Sequence, residues 1–134
     1  MRTFEGVRVI DFTQAIAGPY ATFQLALMGA EVIKIEQPGQ GDQGRQMYPL
    51  DGPYKDDGFS AIFMSANAGK RSLTLDLKKK AVVGVIERLV READVVVENF
   101  KAGTMARRGF GWEDLRKINP NLIYCSVTGF GQTG

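Results

Sequence analysis

Short β-branched runs alternate with longer helical stretches along this chain, and that alternation restricts its possible folds more than any other feature. Val7 to Asp11, VRVID, is followed by the pattern-breaking FTQAIAGP and then by an apolar segment from Tyr20 to Met28. Pro19 suits a first helical turn, where its missing N–H would be unpaired anyway. Gly29 suits the C′ position that ends such a helix. Glu31 to Glu36, EVIKIE, alternates apolar and charged side chains with the period of a strand. Residues 7–36 therefore read as one βαβ unit.

The pattern then repeats. A short helix is expected over 59–68, and Ser72 to Leu77, SLTLDL, alternates like a strand. Over 81–93, Val82, Ile86, Leu89, Val90 and Ala93 recur at i, i+4, i+7, i+8 and i+11, the stripe of an amphipathic helix. DVVVEN at 94–99 is a continuous β-branched run of the kind buried in parallel sheets. A helical turn over 103–108, a helix over 113–118 and a strand over 122–127 complete the series. Strands alternating with helices through right-handed crossovers predict an α/β fold, a Rossmann-like parallel sheet with helices packed against it. The segment 37–58 breaks the alternation, with five glycines and three prolines. A loop of that length in a compact domain is expected to be functional or mobile.

Composition narrows the function classes. The 134 residues are 44% hydrophobic, enough for one core and one domain. Seventeen Lys and Arg against fifteen Asp and Glu leave a net charge of +2, too weak to argue a nucleic-acid or membrane partner, and neither is predicted. MRTFEGVRVI has no apolar h-region and no stretch approaches eighteen apolar residues, so neither signal peptide nor membrane span is expected and the predicted compartment is the cytoplasm. There is no histidine, which removes Ser-His-Asp and Cys-His catalysis and most zinc sites. Neither a metal site nor a cofactor is predicted. The single cysteine, Cys125, lies in an apolar run and is expected to be a buried, inert thiol.

GFGQTG at 129–134 has G-x-G-x-x-G spacing. A dinucleotide fingerprint must follow the first strand, open a helix and be answered by an acidic residue about twenty positions later. This run follows the last strand. The better-placed loop, TQAIAGP answered by Glu36, contains only Gly18, so the context argues against NAD or FAD. Two other segments could bind an anion. GKRSLTLDLKKK carries Lys70, Arg71 and Lys78 to Lys80 around one strand; cations before a helix oppose its dipole unless an anion lies between, although a solvated basic turn explains the spacing equally well. In ENFKAGTMARRG, Asn99 and Phe100 end a buried strand at the carboxyl edge where open α/β sheets bind ligands, with Arg107 and Arg108 close behind. The plainer alternative makes Phe100 core and both arginines surface.

Taken in order, VRVIDFTQAIAGPYATFQLALMGAEVIKIEQPGQGD, NAGKRSLTLDLK and ADVVVENFKAGTMARRGFGWEDLRKINPNLIYCSVTGFGQTG resemble the amino-terminal part of the class III coenzyme A transferases, a family that includes formyl-CoA and carnitine CoA-transferases and the α-methylacyl-CoA racemases. The resemblance implies a CoA-binding Rossmann-like portion over 1–134, a truncated form of the family's large domain with the remaining architecture absent, from an interlocked homodimer. The substrates it implies are an acyl-CoA and a carboxylic acid acceptor, with the CoA thioester as substrate and no separate cofactor. By resemblance, Ile16, Ala17, Gln37, Leu75, Lys78, Asn99, Phe100, Lys101 and Arg107 fall where family members contact CoA. Lys78 and Arg107 suit the phosphates, and Leu75 and Phe100 the adenine or pantetheine arm. Gln37 departs from relatives with arginine there. Gly129, Gly131 and Gln132 belong to a loop beside the acyl group. The family's nucleophilic aspartate lies downstream of that loop, so Asp11, Asp42 and Asp76 are not promoted in its place. The alternatives are a racemase-type epimerase and a non-catalytic CoA-binding fragment.

Overall fold

The structure, a computed structural model, describes residues 2–47, 55–57 and 59–133. Its elements are β1 (Arg8–Asp11), α1 (Ala17–Leu27), β2 (Glu31–Glu36), α2 (Ala61–Asn67), β3 (Arg71–Thr74), α3 (Val83–Arg91), β4 (Val95–Glu98), α4 (Thr104–Arg107), α5 (Trp112–Ile118) and β5 (Ile123–Ser126), with 3-10 turns at Gln43–Gln46, Lys55–Asp57 and Lys80–Val82. The five strands form one parallel sheet in the order β3-β2-β1-β4-β5, as the Rossmann-like reading requires. The chain reverses direction across the sheet between β1 and β4. A crevice therefore opens at the carboxyl ends of those two strands.

The two-residue period of the strands sorts their side chains into two cores. Ile10, Phe12, Ile35 and Val96 meet Ile86 and Val90 of α3 and Leu115 of α5, all buried. These α3 positions are the stripe read in the sequence, and each such side chain contributes about 1.5–3 kcal/mol on leaving water. On the opposite face Val9, Val32 and Val97 form a smaller cluster, closed by Leu25 and Ala26 of α1. Gly29, at φ +107°, ends α1 in a backbone conformation costly for other residues.

Two local expectations are corrected. The strand expected to reach Leu77 ends at Thr74: Leu75 still donates to the Glu36 carbonyl at 2.9 Å, but the Asp76 carboxylate accepts from the Lys78 amide at 3.0 Å and turns the chain. Cys125 is exposed rather than buried. It lies on an edge strand, on the face it shares with Ile123, which is 62% exposed. Within the long segment after β2, the buried Asp42 caps the turn Gln43–Gln46 through the Gly44 amide. Residues 48–54 and 58 of that segment lie outside the described residues.

Candidate functional site

A buried ionic layer supports the crevice. Asp11, at the end of β1, is fully buried and accepts from the Thr13 amide and hydroxyl, from Thr22 at 2.7 Å and from the Lys70 ammonium at 2.9 Å. Lys34, 1% exposed on β2, donates to the Thr13 carbonyl at 2.8 Å and lies 2.6 Å from Asp42 Oδ2. Burial lowers the Lys70 ammonium's pKa, against the opposing pull of Asp11. Burial alone would raise the Glu36 carboxyl, but bonds from Arg45, Ser72 and the Asp42 amide outweigh it and hold the group at about 2. Asp11 and Asp42 are thus consumed by structure and out of reach of a thioester.

These charges fix the loop after β1. Asp42 Oδ1 accepts from the Ala15 amide at 2.8 Å, and Asn99 clasps Gln14 from the other side, accepting from its amide at 2.8 Å and donating to its carbonyl at 2.9 Å. Ala15 is held at φ +70°, uncommon for any residue but glycine. A Cβ on Gly18 would sit 2.5 Å from Thr13 Cβ, so this glycine serves close packing of α1 on the loop rather than approach to a pyrophosphate.

The crevice itself is lined by Gln14, Gln37, Leu75, Asp76, Lys78, Phe100 and Arg108, over a floor from Ile35, Glu36 and Leu77. Gln37, Leu75, Lys78 and Phe100, separated by up to sixty-odd positions, are thereby brought together in one crevice. Lys101 and Gln132 line a neighbouring recess with Glu98, Thr104, Trp112, Tyr124 and Ser126. Burial, with Glu98 and Asp114 nearby, raises the Tyr124 phenol pKa. Ile16, 51% exposed, and Ala17 stand at the start of α1. Asn99 spends its amide on Gln14. Gly129 and Gly131 lie on an exposed turn in which the Gly131 amide donates to Thr128.

Arg107 and Arg108 diverge. Arg107 is exposed and donates to Thr104 at 3.1 Å, whereas Arg108 faces the crevice with its guanidinium carbon 5.5 Å from the Phe100 ring centroid. By resemblance the sequence reading assigned Arg107 to the phosphates and left Arg108 out; the crevice lining contains Arg108 and not Arg107. Sequence reasoning also missed Gln14 as a lining residue and the whole ionic layer. The signal for that layer was present in EVIKIE: a parallel strand covered on both faces buries its charged positions as well as its apolar ones, so Lys34 and Glu36 needed partners. Among the described residues no three His, Cys, Asp or Glu side chains gather to hold a metal, and no helix is long and apolar enough to cross a membrane.

Two cations, an aromatic face and neutral amides at a sheet reversal point suit a ligand with phosphate at one end and apolar surface along it, and they provide no nucleophile–base pair. An α/β ligand-binding fold of this kind is one class; the chain belongs to CoA-transferase family III, whose family model matches residues 4–134. It is 44% identical to the succinyl-CoA:glutarate CoA-transferase of Mus musculus over 100% of this chain and 30% of that protein. It is 49% identical to the succinyl-CoA:mesaconate CoA-transferase of Haloarcula hispanica, covering 98% of this chain and 33% of the relative. The chain thus spans about a third of the length of these curated relatives. Crystal structures of Rv3272 from M. tuberculosis and of a CAIB/BAIF family protein from Brucella suis each superpose with TM-score 0.88 at 42% identity, over 100% and 99% of this chain and 35% of theirs.

Proposed function

We propose that this chain is the CoA-binding part of an acyl-CoA:carboxylate CoA-transferase. The observation that carries the reading is the crevice at the reversal point of the sheet, where Lys78, Arg108, Gln37, Leu75 and Phe100 converge. Lys78 offers charge to a phosphate, and Leu75 and Phe100 offer apolar surface to the adenine or the pantetheine arm. Ile16, Ala17 and Asn99 bound the same strand ends, and Lys101, Gln132 and Arg107 extend the surface toward the neighbouring recess. The named relatives act on succinyl-CoA with glutarate or mesaconate, which supports the acyl-CoA and carboxylic acid substrate class.

The chemistry follows from that class. An aspartate carboxylate, supplied by chain beyond residue 134, attacks the thioester carbonyl; the C–S bond breaks and CoA leaves as thiolate, giving a mixed anhydride. The thiolate then attacks the aspartyl carbonyl, releasing the first acid and leaving CoA as an enzyme thioester. The acceptor carboxylate reverses both steps. Developing oxyanions need backbone donors, and the exposed Gly129–Gly131 turn, in which the Gly131 amide would exchange its bond to Thr128 for one to the substrate, is the segment proposed to supply them. Cytoplasmic location and a homodimer complete the proposal. The exposed Ile123 on β5, an edge strand, supports association.

The test uses the complete gene product. Incubated with acyl-CoA, it should gain a CoA-sized mass that hydroxylamine removes, and turn over when a dicarboxylic acid is added. Neither adduct nor turnover with any carboxylate would overturn the proposal. Exchange of the α-proton without acyl transfer would favour the epimerase instead.

A further inference from the structure

We propose that Arg108 makes the crevice selective for the phosphorylated adenosine end of its ligand, as a binding residue distinct from its neighbour Arg107. The inference rests on the CoA reading above and assigns a role within it.

Three observations carry it. First, the adjacent arginines are separated by the end of α4. Arg107 is exposed and turned back on Thr104, while Arg108, the C-cap residue, is half-buried and lies over Phe100 inside the crevice. Second, each carboxylate lining the crevice already has a hydrogen-bond partner within the chain. Glu36 is matched by Arg45 at 2.7 Å, and Asp76 accepts from the Lys78 amide. Gln14 and Gln37 are neutral, so Lys78 and Arg108 supply the crevice's cations, one following β3 and the other following β4, with β2 and β1 between them. Third, an arginine drawn toward an aromatic ring is pre-organised: with its guanidinium carbon 5.5 Å from the Phe100 centroid, Arg108 keeps its N–H edge for a phosphate oxygen pair or its outer face for a purine. An uncharged pantetheine arm can use neither.

The contribution is therefore confined to one end of the ligand, which gives the test its form. Arg108→Ala and Arg108→Lys are made in the complete protein, with melting temperature as the folding control. Calorimetry then measures binding of CoA, adenosine 3′,5′-bisphosphate and pantetheine. Arg108→Ala should weaken CoA and the bisphosphate about tenfold while pantetheine is unchanged. In turnover, KM for acyl-CoA should rise with kcat at saturation retained. Arg108→Lys, which keeps the charge but not the planar fork, should recover part of the loss at low salt. Wild-type affinity for CoA in Arg108→Ala, or an equal loss for pantetheine, overturns the role of Arg108 and leaves the CoA site standing. A wild-type protein that binds no CoA overturns both.

Discussion

At the scale of single residues, the buried charges dominate. Removing one member of a buried pair leaves the other uncompensated and typically costs 3–5 kcal/mol. Lys34→Met strips Asp42 Oδ2 of its ammonium at 2.6 Å and should destabilise by about that amount in urea denaturation. A change below about 1 kcal/mol would show that the layer is solvated rather than structural. Glu36 predicts a pH dependence. Its folded pKa, about 2, lies below the ordinary 4.5, so its contribution is complete above the ordinary value and is lost as the pH falls through the acid range toward 2. The loss is on the order of 3 kcal/mol, and Glu36→Gln should flatten the acid limb of the stability curve. An unchanged limb in the variant would place the acid sensitivity elsewhere. These residues were only partly legible in the sequence. The alternation in EVIKIE announced a strand, but not that its charged side faces Asp42 and Arg45, because those partners arrive through a loop with no periodic signal of its own.

At the scale of elements, the loop after β1 is the feature most dependent on its neighbours. Gly18→Ala would push a methyl to 2.5 Å from Thr13 Cβ, and overpacking of this kind costs about 1–3 kcal/mol. It should lower the melting temperature and displace the start of α1; an unaltered melting temperature would mean that the contact relaxes freely. Asn99→Ala releases both bonds on Gln14 and should raise the Kd for CoA more than it lowers stability, because the clasped loop forms one wall of the crevice. A stability loss with unchanged Kd would reduce Asn99 to a structural tie. The strands and helices themselves were largely readable, since α3 and β4 carry their patterns in contiguous residues. The misreadings share one cause. SLTLDL keeps its alternation past Thr74, yet Asp76 accepts the Lys78 amide and ends the strand, and Cys125 sits in a β-branched run whose burial depends on having a cover over the edge strand.

At the scale of the whole molecule, the exposed positions on and beside β5 predict behaviour in solution. Ile123 is 62% and Phe130 89% exposed, and among the described residues β5 is an edge strand. The 134-residue chain alone should associate as its concentration rises, measured by light scattering, and Ile123→Lys should reduce the association. A dilute, concentration-independent monomer would contradict the expectation. The crevice is also a whole-molecule property. Gln14, Gln37, Lys78 and Arg108 share no local motif and meet because β1 pairs with both β2 and β4.

The sequence by itself determined the order and kind of the elements, since side-chain periods of two and 3.6 residues are local and survive in a short window. It also carried the order of motifs that marks the family. Only the tertiary structure decided which of two adjacent arginines enters the crevice, which strand face lies open and which charges neutralise one another. Those outcomes depend on strand order and on the ends of short helices, where one residue's step turns a side chain by about 100° and no local period says toward what.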